Sequence, residues 1–202
     1  MLENLLNELD PSKDNLIVLH LFGSHFPYKN RFPENYSIPL KKGKLTEMEY
    51  NYIKSIEYTD TLLKRIFRIL TEKISDPFMI CYVSDHGEDP AGKIMRGSRQ
   101  LQGNIPEFFK VPCIFFLSRK YCELYPEKVS NLKKNSCKPF INEHVFHAFV
   151  DFFEISIEDI AIHTPEKSIF SSQYKQDLSQ ARILDYTYPL HTILEKKATS
   201  SK

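Results

Sequence analysis

Apolar and polar residues follow two different periods along this chain. Residues 15–22, 78–83 and 111–118 are short runs of bulky or β-branched apolar residues that end in polar ones, which is typical of strands buried on both faces. Residues 46–73 and 142–153 instead place apolar side chains three or four positions apart, which predicts helices. The first strand, the long helix and the second strand form a βαβ unit, so we expect parallel strands joined by a right-handed connection.

The order of these elements predicts an α/β fold with a mainly parallel sheet flanked by helices. Residues 1–10 have the spacing of an amphipathic helix, and residues 119–137 are predicted to hold a helix and a loop. The length of 202 residues favours one domain, which we place at residues 1–165. Residues 166–202 are then a C-terminal extension, and its end is expected to be disordered.

Charge and hydropathy exclude some classes of protein. The chain has 27 basic and 26 acidic residues, so it carries no electrostatic footprint for nucleic acid. No apolar run reaches the ~18 residues that would cross a bilayer, and the N-terminus does not have the pattern of a signal peptide. The chain as given is expected to be soluble, or a soluble piece of something larger.

The four cysteines form no Cys-x-x-Cys pair, which argues against a zinc ribbon. Cys81 and Cys113 lie in predicted strands and are interpreted as small buried hydrophobic residues. Cys122 and Cys137 flank a lysine-rich segment and could close a disulfide in an oxidising compartment.

The strongest candidate for chemistry is the polar cluster that follows the second strand. This strand runs directly into Ser84, Asp85, His86, Gly87 and Glu88. In α/β sheets, functional side chains gather at the carboxyl ends of the strands, and a glycine there permits a sharp turn. An oxygen and a nitrogen ligand side by side suit Zn²⁺ or another divalent ion, although a solvated turn would have the same composition.

Other polar residues have a structural interpretation beside the functional one. His25 follows a Gly-Ser turn at the end of the first strand, where we favour a functional role. Glu88 is either a partner of the metal ligands or an ordinary loop carboxylate. His20 and His147 lie among apolar neighbours and are interpreted as core histidines. The aromatic residues of the loop 26–36 could contact a lipid or sugar, or could simply pack over the sheet.

Several segments together resemble the phosphoethanolamine transferases of the alkaline phosphatase/sulfatase superfamily. Residues 19–28 with 31–33 resemble a Leu-His…Gly-Ser-His…Pro-Tyr…Arg…Pro block, and residues 82–88 resemble the family's Tyr-x-Ser-Asp-His-Gly-Glu block. Residues 50–60 resemble the helix between these two blocks. The family's following strand and its Phe-His helix have counterparts in residues 105–118 and 144–147. The resemblance implies an alkaline phosphatase-like fold, of which this chain is the C-terminal half.

The resemblance also implies a reaction and the residues that perform it. In the family, a zinc-bound threonine attacks the phosphorus of phosphatidylethanolamine, and phosphoethanolamine then passes to a sugar or phosphate of lipid A or the lipopolysaccharide core. Asp85 and His86 match two of the zinc ligands. His25 matches a histidine that contacts the substrate phosphate or a second metal. We therefore expect all three side chains to face one cavity.

The chain departs from the family pattern in two places. Its residues before His25 contain no match for the nucleophilic threonine, the first acidic ligand or the membrane-spanning region, so we expect a partial catalytic domain that is inactive alone. A further family histidine has no counterpart between His86 and His144. Arg96 or Arg99 is predicted to make the phosphate contact instead.

Two alternatives remain beside the transferase. The first is a sulfatase or phosphodiester hydrolase of the same superfamily, although no cysteine here lies in a formylglycine motif. The second is a non-catalytic remnant that binds a partner or a lipid head group. For the transferase, the resemblance implies the periplasmic face of the bacterial inner membrane, where a disulfide between Cys122 and Cys137 would be at home.

Overall fold

A computed structural model describes residues 2–10, 12–91, 110–156, 164–175, 182–183 and 188–189. Their contacts divide the chain into two compact units. The first unit takes in the chain up to Ser75, together with Glu88 and the residues directly after it. The second unit takes in Asp76–Gly87 and the C-terminal part of the chain.

The long helix α2, Glu47–Lys73, is the main element of the first unit, which begins with the short helix α1, Leu2–Glu8. The side chain of Thr46 starts α2 by accepting a hydrogen bond from the backbone N–H of Glu49, while the Glu49 carboxylate accepts one from the Thr46 N–H. This capping box satisfies two backbone donors that a helix start leaves open. It also puts a negative charge at the positive end of the helix dipole.

The aromatic loop of the first unit packs along α2. Tyr28 begins a 3₁₀ turn, Tyr28–Asn30, and its buried ring meets the ring of Tyr52 edge-on at 5.0 Å. Two further contacts join the loop to the helix. Nζ of Lys54 in α2 lies 4.2 Å from the ring centroid of Phe32, and the ring of Tyr58 in α2 lies 5.0 Å from the ring of Tyr36. Packing on α2 therefore accounts for these three loop aromatics.

The second unit is built around an antiparallel pair, β1 (Met79–Val83) and β2 (Cys113–Leu117). Met79 lies opposite Leu117 in this ladder, and Val83 lies opposite Cys113. The hydroxyl of Ser118 accepts hydrogen bonds from the backbone N–H groups of Phe78 and Tyr121. One serine thus closes the ladder beyond β2 and caps the helix that follows.

Three helices and a well-packed core complete the second unit. The helices are α3 (Arg119–Leu124), α4 (Pro126–Asn135) and α5 (His144–Phe152), followed by a 3₁₀ turn, Pro165–Lys167, and a two-residue antiparallel pair, β3 (Arg182–Ile183) and β4 (Tyr188–Pro189). Tyr121, Ala148, Ile169 and Phe170 form the buried cluster. Asn135 donates through its side-chain amide to the carbonyls of Ile169 and Ser171, which fixes that segment against α4.

Most predicted elements are confirmed to within one or two residues: α2, β1, β2 and α5. The predicted strand at 15–22 is wrong, because these residues form no ladder, and the βαβ unit is therefore not formed. In the part of the chain that the structure describes, both strand pairs are antiparallel, so the mainly parallel sheet stays a prediction. The segment predicted as a helix and a loop, 119–137, contains two helices, since Pro126 starts a second one.

The physical reason for the wrong strand lies in its surroundings. A strand is stabilised by the backbone groups of a neighbour and by burial of its side chains. Among the described residues, no backbone acceptor binds an amide of residues 15–21. Leu16, Val18 and Phe22 are 65%, 80% and 75% exposed. The apolar pattern of a buried strand is therefore present without the contacts that would form one.

Two further expectations can be compared with the fold. All four cysteines are free thiols, so a bond between Cys122 and Cys137 is not formed in the structure. Within the described ranges, no helix combines the length and apolar character required to cross a bilayer. The boundary placed between residues 165 and 166 stays a prediction.

We expect two valine substitutions to differ sharply in their effect on stability. Val150 lies on the core-facing side of α5 and is 4% exposed. Val150→Ala should lower the free energy of unfolding by about 1–2 kcal/mol, because buried methyl groups are lost. Val18→Ala, its matched control, should change it by less than about 0.5 kcal/mol, because that side chain is already solvated. Urea unfolding of both variants measures the difference. Equal losses would mean that Val18 is buried in solution.

Candidate metal site and its surroundings

Asp85 and His86 lie side by side where the chain leaves β1. The backbone N–H of His86 donates to Asp85 Oδ1 at 3.0 Å, and Asp85 Oδ2 lies 3.8 Å from His86 Nε2. Both side chains are exposed, with 88% of the Asp85 side chain and 50% of the His86 side chain accessible to solvent. The structure therefore brings the two predicted ligands together at one accessible point.

A hydrogen bond sets the tautomer of His86. Its Nδ1 lies 2.7 Å from the carbonyl oxygen of Gly87, which can only accept, so Nδ1 carries the proton. In the neutral ring the lone pair is then on Nε2, which lies 3.8 Å from Asp85 Oδ2. Backbone carbonyls hold metal-binding histidines in this same way. An imidazole nitrogen and a carboxylate oxygen are both donors that Zn²⁺ accepts.

Two hydrogen bonds hold residues 84–86, which belong to the second unit. The hydroxyl of Ser84 donates to the carbonyl of His86 at 2.8 Å. Asn142, just ahead of α5, donates through its side-chain amide to the carbonyl of Ser84 at 2.9 Å. Sequence reasoning missed Asn142, because its partner is 58 residues away and no local pattern marks such a contact.

The pair fits a metal ion as part of a site. Zinc in proteins takes three or four protein ligands. Within the ranges that the structure describes, no three His, Cys, Asp or Glu side chains converge in a way that could hold an ion. Asp85 and His86 therefore supply two suitable donors, and further ligands would be needed for tight binding.

His25 occupies a tight turn in the first unit. Gly23 adopts a positive φ of 48°, which glycine tolerates best, and the backbone N–H of His25 donates to the carbonyl of Phe22. The Nδ1 of His25 donates to the carbonyl of Phe26 at 2.6 Å, so its lone pair also lies on Nε2. Asp85 and His86 belong to the second unit, and the predicted common cavity stays a prediction.

Glu88 is held by an aromatic residue of the first unit. The buried Tyr28 hydroxyl donates to Glu88 Oε2 at 3.0 Å. This contact gives Glu88 a specific partner, two residues after His86. Tyr28 belongs to the block that resembles the family. That resemblance is the sequence signal that could have marked Tyr28 as a functional residue. The predicted phosphate contacts Arg96 and Arg99 lie outside the described residues.

A second polar cluster is buried beneath α5. His144 is 4% exposed, and its Nδ1 donates to the hydroxyl of Tyr174, which donates in turn to the carbonyl of Pro139. Burial lowers the pKa of His144 to about 4 and raises the pKa of Tyr174 to about 12. His147, interpreted from sequence as a core histidine, is equally buried and accepts from the N–H of Thr164.

The two strand cysteines form a thiol pair. Cys81 lies opposite Phe115 in the ladder, so Cys113 is its diagonal neighbour on the same face. A hydrogen bond between the thiols raises the pKa of Cys81 and lowers that of Cys113, and burial also raises the pKa of Cys81. Both cysteines are partly buried, whereas the sequence interpretation is that they are buried.

Comparison with known proteins gives one family and several relatives. The profile of the sulfatase family matches residues 1–153. A Kdo(2)-lipid A phosphoethanolamine 7''-transferase of Salmonella typhimurium is 29% identical over 60% of this chain and 23% of its own length. The phosphoethanolamine transferase EptA of Helicobacter pylori is 29% identical over 77% of this chain and 31% of its own length.

A third relative covers more of the chain at lower identity. The phosphoethanolamine transferase EptC of Escherichia coli is 23% identical over 83% of this chain and 30% of its own length. The chain thus spans between 23% and 31% of these three relatives. No solved structure matched it.

Proposed function

The chain belongs to the sulfatase family, and we propose that it forms part of the catalytic domain of a metal-dependent phosphoethanolamine transferase. The proposed reaction moves phosphoethanolamine from phosphatidylethanolamine to a sugar or phosphate of lipid A or another lipopolysaccharide acceptor. Its place would be the periplasmic face of the bacterial inner membrane. The names of all three relatives support the transferred group, and the name of the Salmonella typhimurium relative supports lipid A as the acceptor.

The observation that carries the proposal is the paired Asp85 and His86 at the end of β1. Asp85 Oδ2 and His86 Nε2 lie 3.8 Å apart, and the tautomer of His86 leaves the lone pair on that Nε2. We propose that they hold Zn²⁺, or another divalent ion, together with ligands from outside the described residues. When bound, such an ion neutralises phosphodiester charge and lowers the pKa of an attacking hydroxyl group.

The remaining residues are assigned to the substrate. Nδ1 of His25 donates to the carbonyl of Phe26, and we propose Nε2 as the nitrogen that meets the substrate. In its protonated form, Nε2 can donate to a phosphoryl oxygen. We propose Arg96 and Arg99 as further phosphate contacts, since guanidinium groups bind phosphate oxygens with two parallel hydrogen bonds. Glu88 accepts from the Tyr28 hydroxyl, and we assign it a supporting role two residues after His86.

A hybrid enzyme tests the proposal. The aligned segment of the Salmonella typhimurium relative is replaced by this chain, and the purified hybrid receives phosphatidylethanolamine vesicles and lipid A. We expect phosphoethanolamine to appear on lipid A by mass spectrometry, with the unaltered relative as the positive control. Circular dichroism establishes that the hybrid is folded, and zinc content is measured on the same sample.

Two results would overturn the transferase. Release of phosphoethanolamine into water without transfer would indicate a phosphodiester hydrolase. A folded hybrid that binds zinc but turns nothing over would indicate a non-catalytic remnant.

A further inference from the structure

We infer that Arg31 is a positioning residue that orients the imidazole of His25. Its guanidinium makes two hydrogen bonds to the backbone of the turn. Nε donates to the carbonyl of His25 at 2.6 Å, and Nη2 donates to the carbonyl of Phe26 at 3.3 Å. One planar group thus fixes two successive carbonyl groups, and with them the backbone that carries the imidazole.

The carbonyl of Phe26 links this backbone contact to the ring. The same oxygen accepts from Arg31 Nη2 and from His25 Nδ1, the latter at 2.6 Å. The positive guanidinium therefore holds the carbonyl in the direction that Nδ1 requires. The nitrogen of a histidine that carries the proton is set by the hydrogen bond that it makes. Arg31 consequently favours the form of His25 with the proton on Nδ1 and the lone pair on Nε2.

Arg31 is itself held by an aromatic ring. Its guanidinium carbon lies 4.8 Å from the ring centroid of Phe22. Arginine stacks on aromatic rings and keeps its donors in a fixed fork, whereas lysine offers one flexible ammonium group. Phe22 is 75% exposed. Although this ring is too exposed to pack in the core, its contact with Arg31 helps to hold the guanidinium in place.

The consequence for transfer rests on the function proposed above, whereas the orientation of the ring does not. A protonated His25 that donates to phosphate through Nε2 keeps its Nδ1–H on the carbonyl of Phe26, so a ring that loses the Nδ1 bond would no longer hold Nε2 towards the phosphate. Loss of Arg31 should then lower the rate of transfer in the hybrid enzyme through His25, although Arg31 has no contact with the reacting atoms in this assignment.

Nitrogen NMR of ¹⁵N-histidine-labelled chain tests the inference without any turnover. In the unaltered chain, the His25 signals should show the proton on Nδ1. Arg31→Gln should shift them towards the form with the proton on Nε2, which a histidine side chain in water prefers, and Arg31→Lys should give a smaller shift. Lys29→Gln is the matched control, because it removes the same positive charge only two residues from Arg31. The Lys29 side chain is exposed and makes no hydrogen bond or ion pair among the described residues.

Phe22→Leu provides a second variant that keeps Arg31 in place. Removal of the aromatic face should loosen the guanidinium and shift His25 in the same direction by a smaller amount. Unchanged His25 signals in folded Arg31→Gln, or an equal shift in Lys29→Gln, would overturn the positioning role. An inactive hybrid enzyme whose His25 signals still depend on Arg31 would instead refute the transferase and leave the inference intact.

Discussion

In the hybrid transferase, Asp85→Asn is expected to reduce phosphoethanolamine transfer by about 10³-fold, which corresponds to the several kcal/mol that a metal ion contributes to such a transition state. Asparagine keeps the shape of the side chain and removes the negative charge that a divalent cation requires. The Asp85 carboxylate is 88% exposed, so its loss should leave folding unaffected. Transfer rates and zinc content of the same purified sample measure both effects.

Asp76→Asn is the matched control for this substitution. Asp76 precedes β1 as Asp85 follows it, and its carboxylate lies 3.3 Å from Lys120 Nζ in an exposed ion pair. Such pairs contribute about 0–1 kcal/mol to stability. We expect transfer and zinc content to stay at the unaltered level in this variant. Full activity of Asp85→Asn, or an equal loss in both variants, would remove Asp85 from the metal site.

Elements with strong local signals could be predicted from the sequence. Helix α2 has an apolar stripe and a capping box at Thr46, both of which act over a few residues. The apolar run of β1 ends in a polar cluster, and Asp85 and His86 are neighbours in the chain, so their proximity needs no tertiary information. The tautomer of His86 depends on Gly87 alone and is equally local.

Features that depend on distant partners could not be predicted. Residues 15–22 have the composition of a buried strand, but a ladder requires a second strand, and pattern alone does not supply it. Asn142 reaches Ser84 across 58 positions, and Tyr28 reaches Glu88 across 60. His144 lies in the segment that resembles the family's Phe-His helix, but nothing local predicts its burial beside Tyr174. These contacts follow from how the elements pack rather than from local propensity.

Burial of His144 is expected to make the stability of the chain depend on pH between about 4 and 6.5. Burial comes first among the causes that lower its pKa to about 4, and His147 and Lys167 lower it further. The carboxylate of Glu143 acts in the opposite direction and is paired with Lys167. The folded chain therefore keeps this imidazole neutral well below pH 6.5.

The sign of the effect follows from the protons that each state binds. Above pH 6.5, His144 is neutral in both states and its ionisation does not affect stability. As the pH falls towards 4, the unfolded chain binds a proton there that the folded chain does not, so the unfolded state is favoured. A pKa lowered from 6.5 to about 4 corresponds to roughly 3 kcal/mol lost across this window.

Substitution of His144 by glutamine isolates this contribution from the other groups that titrate in the same range. Glutamine removes the ionisation and keeps an amide that can donate to the Tyr174 hydroxyl. We expect urea unfolding from pH 7.5 to pH 4 to show a shallower loss of stability in His144→Gln than in the unaltered chain, by roughly 3 kcal/mol at the acidic end. His20→Gln, at an exposed histidine, is the matched control for removal of an imidazole. Parallel curves for His144→Gln and the unaltered chain would mean that His144 binds its proton equally in the folded and unfolded states, and the buried pair with Tyr174 would have to be abandoned.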